Sequence, residues 1–193
     1  MFENFKKRSS MKKQLLVLSI MIYSNIALAQ YYPVNLNIEN LPQENTAWCW
    51  AATAQQVIKW INGTSPDQCE LVASAYRRDV GKCCESPETC DLAGNLQQIQ
   101  FLIRKYGGHH SSIAPPADAL ILYNTLTSGK AIILFLQTTP YIGHYVVLTG
   151  MEFIQTPYGP NAVMYINDPM AYYTQPVPFN NLLMLWRAAI VVY

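Results

Sequence analysis

A thiol, an imidazole and a carboxylate suffice for acyl transfer, and this sequence carries one of each in an order that chemistry can use. Cys49 lies in QENTAWCWAA (43–52), between Trp48 and Trp50, where a helical run begins. A thiol at a helix N-terminus sits at the positive end of the macrodipole, which favours the reactive thiolate. His144 opens an apolar run, GHYVVLTG, directly after Gly143. An imidazole there can act as the base that a thiol nucleophile needs. Asp168, in YINDPMAYY, ends the next apolar run and is the candidate to orient that imidazole. Asn167 is the alternative third member. Successive strand residues face opposite sides, so only one of the two can point at the histidine. Gln43 stands six residues before Cys49. Its amide, with the N–H of Cys49, can hold a carbonyl oxygen as it becomes anionic. Each such donor lowers the barrier by about 2.7–4 kcal/mol.

These side chains need elements to carry them. Residues 31–45 read as extended and hold two prolines. From Ala47 the pattern turns helical, with Ala51, Ala52, Ala54, Val57, Ile58 and Ile61 at mixed i+3 and i+4 spacing, and Asn62-Gly63 ends it. Pro66-Asp67 opens a second helix bearing Leu71, Val72 and Tyr76. Residues 79–91 read as a cysteine-rich loop. A third helix carries Leu96, Ile99, Phe101, Leu102 and Ile103 and stops at Gly107-Gly108; a fourth runs from Pro115–Asp118 to near Gly129. The period then changes. Residues 131–137, 144–153, 162–167 and 185–193 are short, rich in β-branched and aromatic residues, and separated by turn residues, so they are predicted strands. Helices first and strands second predict an α+β domain with an antiparallel sheet.

The N-terminus reads differently. Residues 11–30 show a short basic start, an apolar run and the triplet Ala27-Leu28-Ala29, the layout of a secretory signal peptide cut before Gln30. Met11 is then the true start and residues 1–10 a mis-read extension. The remaining domain, residues 30–193, carries 8 basic and 11 acidic residues. No basic patch points to nucleic acid. No second long apolar segment points to a membrane in the mature form. A monomer is expected.

The five cysteines are Cys49, Cys69, Cys83, Cys84 and Cys90. In an exported chain a cluster of four forms two bridges, leaving Cys49 unpaired. Adjacent cysteines rarely bond each other, so Cys83 and Cys84 reach outward to Cys69 and Cys90, in an order the sequence leaves open. A metal site with His109 and His110 is the competing use, but the cluster lacks the usual C-x2–4-C pairs.

Together, Gln43, Cys49-Trp50-Ala51, Gly143-His144-Tyr145-Val146-Val147 and Asn167-Asp168-Pro169 resemble the papain-like cysteine peptidases in order, in Gln-to-Cys spacing and in the tryptophan after the cysteine. Cys49 and His144 are 95 residues apart, against about 130–150 in the larger enzymes. The chain is therefore similar to the compact bacterial branch, which includes secreted peptidases, a plant-pathogen effector protease and bacteriocin-exporter peptidase domains. In that branch the third residue is usually an Asp followed by Pro. The resemblance covers about residues 33–170; the cluster of four cysteines is not part of it. It implies an N-terminal helical lobe, a C-terminal antiparallel sheet lobe and an active cleft between them. It further implies a secreted or periplasmic peptidase that cleaves protein or peptide substrates through a Cys49–His144–Asp168 triad, with Gln43 at the oxyanion and no cofactor. The same residues would also suit an amidase or transamidase acting on peptides or cell walls. A non-catalytic papain-like binding module would keep the shape with an inert thiol.

Overall fold

An extended segment with a short strand, β1 (Val34–Asn35), leads into the alanine-rich helix α1 (Cys49–Asn62) in the computed structural model, which describes residues 31–193. The signal-peptide reading of residues 11–30 lies outside the described residues. Every residue from Cys49 to Ile58 is buried, so α1 is a central helix rather than an amphipathic surface one. Gly63, at φ 77°, closes it in the left-handed conformation and donates its N–H to the Lys59 carbonyl. Helix α2 (Gln68–Tyr76) opens on a capping box of Asp67 and Glu70.

The segment expected as a loop over 79–91 is ordered helical structure. It holds α3 (Val80–Glu85), whose cap Asp79 accepts the Lys82 N–H, followed by a 3-10 turn at Pro87–Cys90. Such short turns carry no apolar period to be read. Helix α4 (Leu96–Leu102) begins on an Asn95–Gln98 capping box and widens into a π turn, Ile103–Gly107. Strand β2 (Ser111–Ala114) precedes α5 (Ala119–Thr127), capped by Asp118. Then come β3 (Ile132–Gln137), β4 (Gly143–Thr156), β5 (Gly159–Asn167), β6 (Val177–Pro178), α6 (Phe179–Leu183) and β7 (Trp186–Val192). The sheet runs β2-β7-β3-β4-β5-β6, with β1 also paired on β4, and all pairs are antiparallel.

Both faces of this sheet are covered. Ile133, Tyr145, Val147, Ile190 and Val192 pack with the helical core of α1, α2 and α4. Ile132, Leu134, Leu136, Val146 and Leu148 pack with Leu122 and Leu126 of α5 and Leu182 of α6. Burial on both faces explains why the strands read as continuous apolar runs without alternation. Among the described residues no helix is long and apolar enough to cross a membrane.

The cysteine pairing is Cys69–Cys84, joining α2 to α3, and Cys83–Cys90, joining α3 to the 3-10 turn, with Cys49 free. The metal alternative therefore loses its four thiolates, and His109 is engaged with the Tyr193 carbonyl. Partial reduction with differential alkylation can separate the adjacent Cys83 and Cys84. Mass spectrometry should find these two bridges and one free thiol. Full reduction should lower stability, by about 3 kcal/mol for the Cys69–Cys84 loop in the chain-entropy account. Five free thiols in protein made under oxidising conditions would contradict the pairing.

Candidate active site

Two antiparallel strands deliver the imidazole and the carboxylate. Gly143 begins β4 opposite Gln137, and a Cβ there would lie 2.2 Å from the Phe135 ring, so the turn before His144 has room only for glycine. The β4–β5 register sets Val147 opposite Asn167, which brings the residue after β5 alongside the start of β4. His144 and Asp168 meet there, both about 98% buried or more, with Nε2 at 2.6 Å from Oδ1.

The carboxylate is fully used. Oδ1 also accepts the Met170 N–H at 2.9 Å, while Oδ2 accepts the N–H groups of Tyr172 at 2.9 Å and Tyr173 at 3.0 Å. The chain after β5 wraps around this side chain, turning through Ala171 at φ 57°. The Tyr172 ring meets the imidazole edge-on, 5.6 Å between centroids.

Asn167 faces elsewhere. Its amide donates to the Ile38 carbonyl at 2.7 Å and so holds the extended segment that leads from β1 to α1. The same segment is tied at Gln43, whose N–H donates to the Pro169 carbonyl at 3.1 Å. Of the two candidates for third member, only Asp168 touches the histidine.

Cys49 is the first residue of α1 and 8% exposed. Its thiol acts on the His144 imidazole, helping to raise the imidazole's pKa. Because Nε2 is held by Asp168, Nδ1 is the nitrogen left for the thiol. Trp48, at the N-cap, provides no side-chain cap. The N–H groups of the first turn, which have no partners within the helix, are thus left to a ligand.

Electrostatics bind the three together. Burial alone would depress the His144 imidazolium. The hydrogen bonds and charges of Asp168 and Cys49 outweigh it and raise its pKa from the ordinary 6.5 to about 9. Burial alone would raise Asp168, but the His144 and Met170 hydrogen bonds lead the effects that bring it below its ordinary 3.8. Burial, and then the charge of Cys49, push the Tyr145 hydroxyl up. The consequence for stability has a sign. The His144 contribution is complete below about pH 6.5 and is lost as pH rises through about 9. The Asp168 contribution is complete above 3.8 and is lost as pH falls through its lowered value. Urea midpoints should therefore fall on the alkaline side, and the His144→Ala variant should lose that limb. An alkaline limb unchanged in His144→Ala would contradict this.

Gln43 lies beside the cluster with its donors committed. Nε2 donates to the carbonyls of Asn45 at 2.7 Å and Thr46 at 2.9 Å, and Oε1 is buried without a partner. Sequence reasoning missed the segment just after Cys90, which lies against both neighbours of Cys49; no period or motif marks it. A cavity of about 390 Å³ beside Glu44, Lys59 and Asp67 shares no lining residue with the cluster.

Cys49, His144 and Asp168 thus lie between a helix start and an antiparallel sheet, in a papain-like fold. The chain belongs to the Peptidase_C39 like family, which it matches over residues 35–190. It is accordingly a papain-like cysteine peptidase. Solved structures share the fold. The peptidase domain of Streptococcus ComA, a bi-functional ABC transporter involved in quorum sensing, aligns with a TM-score of 0.58 at 18% identity, covering 81% of this chain and 98% of that one. A protein described as a C39-like peptidase from Bacillus anthracis aligns with a TM-score of 0.57 at 15% identity, over 84% and 98%. UfSP from C. elegans gives 0.55 at 12% identity, over 86% of this chain and 35% of that one. No curated protein matches the sequence.

Proposed function

We propose that this chain is a secreted peptidase in which Cys49, His144 and Asp168 cleave peptide bonds through a thioester. The observation that carries the reading is the buried His144–Asp168 pair, with the free thiol of Cys49 at the start of α1 acting on the same ring. Cys49 attacks the peptide carbonyl as thiolate, and His144, as imidazolium, gives its proton to the departing amine. His144 then takes a proton from water, whose oxygen displaces the thiolate and releases the carboxylic acid. Asp168 holds the ring orientation and stabilises the imidazolium.

The Cys49 N–H, on an uncapped helix start, is the first oxyanion donor. Gln43 is the second, and it must release one of its two carbonyl partners when substrate binds. The layout of residues 11–30 and the two cysteine pairs support a periplasmic or extracellular site of action. The partner is a protein or peptide substrate, met by a monomer without cofactor. A cleavage profile of the mature protein on a proteome-derived peptide library tests the reading, with Cys49→Ala as control. Cleavage products absent from the control are the expected result. Identical profiles would overturn it.

A further inference from the structure

The nucleophile is held from both sides by three consecutive residues that take no part in the triad. Asp91 accepts the Ala47 N–H at 2.7 Å, and its other carboxylate oxygen accepts the Thr46 hydroxyl. The Trp48 indole N–H donates to the Cys90 carbonyl at 2.9 Å, and the Trp50 indole N–H donates to the Leu92 carbonyl at 2.9 Å. Thus Thr46, Ala47, Trp48 and Trp50 are all fastened to residues 90–92, with Cys49 between them.

The fastening is close. Two residues after Leu92, a Cβ on Gly94 would lie 2.1 Å from the Trp50 ring, so the segment lies flat on that indole. It is also anchored. Cys90 is bonded to Cys83 of α3, whose neighbour Cys84 is bonded to Cys69 of α2.

Asp91 acts on the turn that leads directly into α1. The turn Asn45–Trp48 is closed by a single backbone bond, Trp48 N–H to the Asn45 carbonyl at 3.2 Å. The carbonyls of Asn45 and Thr46 are the same two that receive the Gln43 amide. One face of the turn therefore carries Gln43, its end leads into Cys49, and Asp91 holds its N–H side. Helix α1 brings no side-chain cap of its own. The Asp91 carboxylate does not replace that cap: it takes the Ala47 N–H and the Thr46 hydroxyl, both before the N-cap residue Trp48, and so holds the turn without covering the first turn of the helix.

We propose that Asp91 is a positioning residue for acyl transfer, holding the Asn45–Trp48 turn so that Cys49 and Gln43 keep their places against the His144 ring. The proposal rests on the cysteine-peptidase reading above. It concerns geometry and not charge. An asparagine at 91 can accept the Ala47 N–H through Oδ1 and donate through Nδ2 to the Thr46 hydroxyl, which then acts as acceptor. It should therefore keep the turn while discarding the charge. Alanine keeps neither bond.

Misplacement of reacting groups by about 1 Å can cost on the order of 100-fold in rate. The test compares kcat and KM on one fluorogenic peptide taken from the cleavage profile, for the oxidised full-length mature protein and four variants. Asp91→Ala should lower kcat by about 10- to 100-fold with KM within about twofold. Asp91→Asn should recover kcat to within about threefold of the parent. Thr46→Val, at an exposed position, removes one of the two bonds and should lower kcat by about three- to tenfold. It decides the question alone if Asp91→Ala does not fold.

Cys49→Ala separates the two levels. Cleavage persisting in Cys49→Ala overturns the peptidase reading and this proposal with it. Cleavage lost in Cys49→Ala but unchanged in kcat for Thr46→Val and for folded Asp91→Ala overturns the proposal alone. An Asp91→Asn variant as impaired as Asp91→Ala overturns the geometric role in favour of charge.

Discussion

A Cys49→Ala variant should fold like the parent and cleave no peptide. Alanine suits the site because the position is the buried first residue of α1, alanine is the best helix former, and the thiol has no disulfide to lose. What disappears is the only atom that can form the thioester. Removing a nucleophile or its base in a comparable triad costs on the order of 10⁶ in kcat, and the losses are not additive. Turnover should fall by at least about 10⁴-fold in either Cys49→Ala or His144→Ala, and the double variant should be hardly worse than either. Turnover on a peptide substrate, with circular dichroism as the check on folding, settles it. Retained cleavage in a folded Cys49→Ala protein would end the mechanism. Alkylation gives a second reading of the same residue. If the thiol is paired with His144 as described, iodoacetamide should label it faster than a free thiol, whereas an inert thiol in a binding module would label no faster.

The second large effect is expected at Asp168, and it should far exceed the effect at its neighbour. Asp168→Ala removes the acceptor of the His144 ring and leaves the Met170, Tyr172 and Tyr173 N–H groups without theirs. Losing the orienting carboxylate of a triad costs about 10⁴ in kcat, and each of the three part-buried hydrogen bonds lost costs about 0.5–1.5 kcal/mol. Both kcat/KM and thermal stability should drop sharply. Asn167→Ala removes one hydrogen bond, to the Ile38 carbonyl, and should stay within about tenfold of the parent in kcat/KM, in keeping with a loss of about 1 kcal/mol. Asp168→Asn completes the comparison. It keeps the shape but has one acceptor oxygen where the structure uses two, so it should fall between the others in stability and near Asp168→Ala in rate. If Asn167→Ala proved the more damaging in kcat/KM, the orienting role would move to Asn167.

Much of this site was legible because its signals are local. Cys49 at the start of an alanine-rich helix, the helix starts at Asp67 and Asp118, and the stop at Gly63 all follow from what a few neighbouring residues can do for unpaired backbone groups. Strands β3, β4, β5 and β7 were legible from composition, and their antiparallel order put Asp168 within reach of His144. Short elements escaped. β2 and β6 hold four and two residues, too few to show a period, and each exists because a longer strand offers it an edge.

What the sequence by itself determined is the set of candidate residues, their order along the chain and most of the elements that carry them. Tertiary structure decided the rest. The β4–β5 register chose Asp168 over Asn167, since one step along a strand reverses the side chain. The packing of α3 against α2 chose Cys69–Cys84 and Cys83–Cys90 from pairings that spacing left open. The path of residues 90–94 over Trp50 brought Asp91 to the turn before Cys49, across 44 residues of sequence. It also set Gln43 on the carbonyls of that turn. The division has one physical cause: helix caps and hydrophobic periods act within a few residues of chain, whereas hydrogen bonds between distant segments depend on where packing takes the backbone, which no local pattern records.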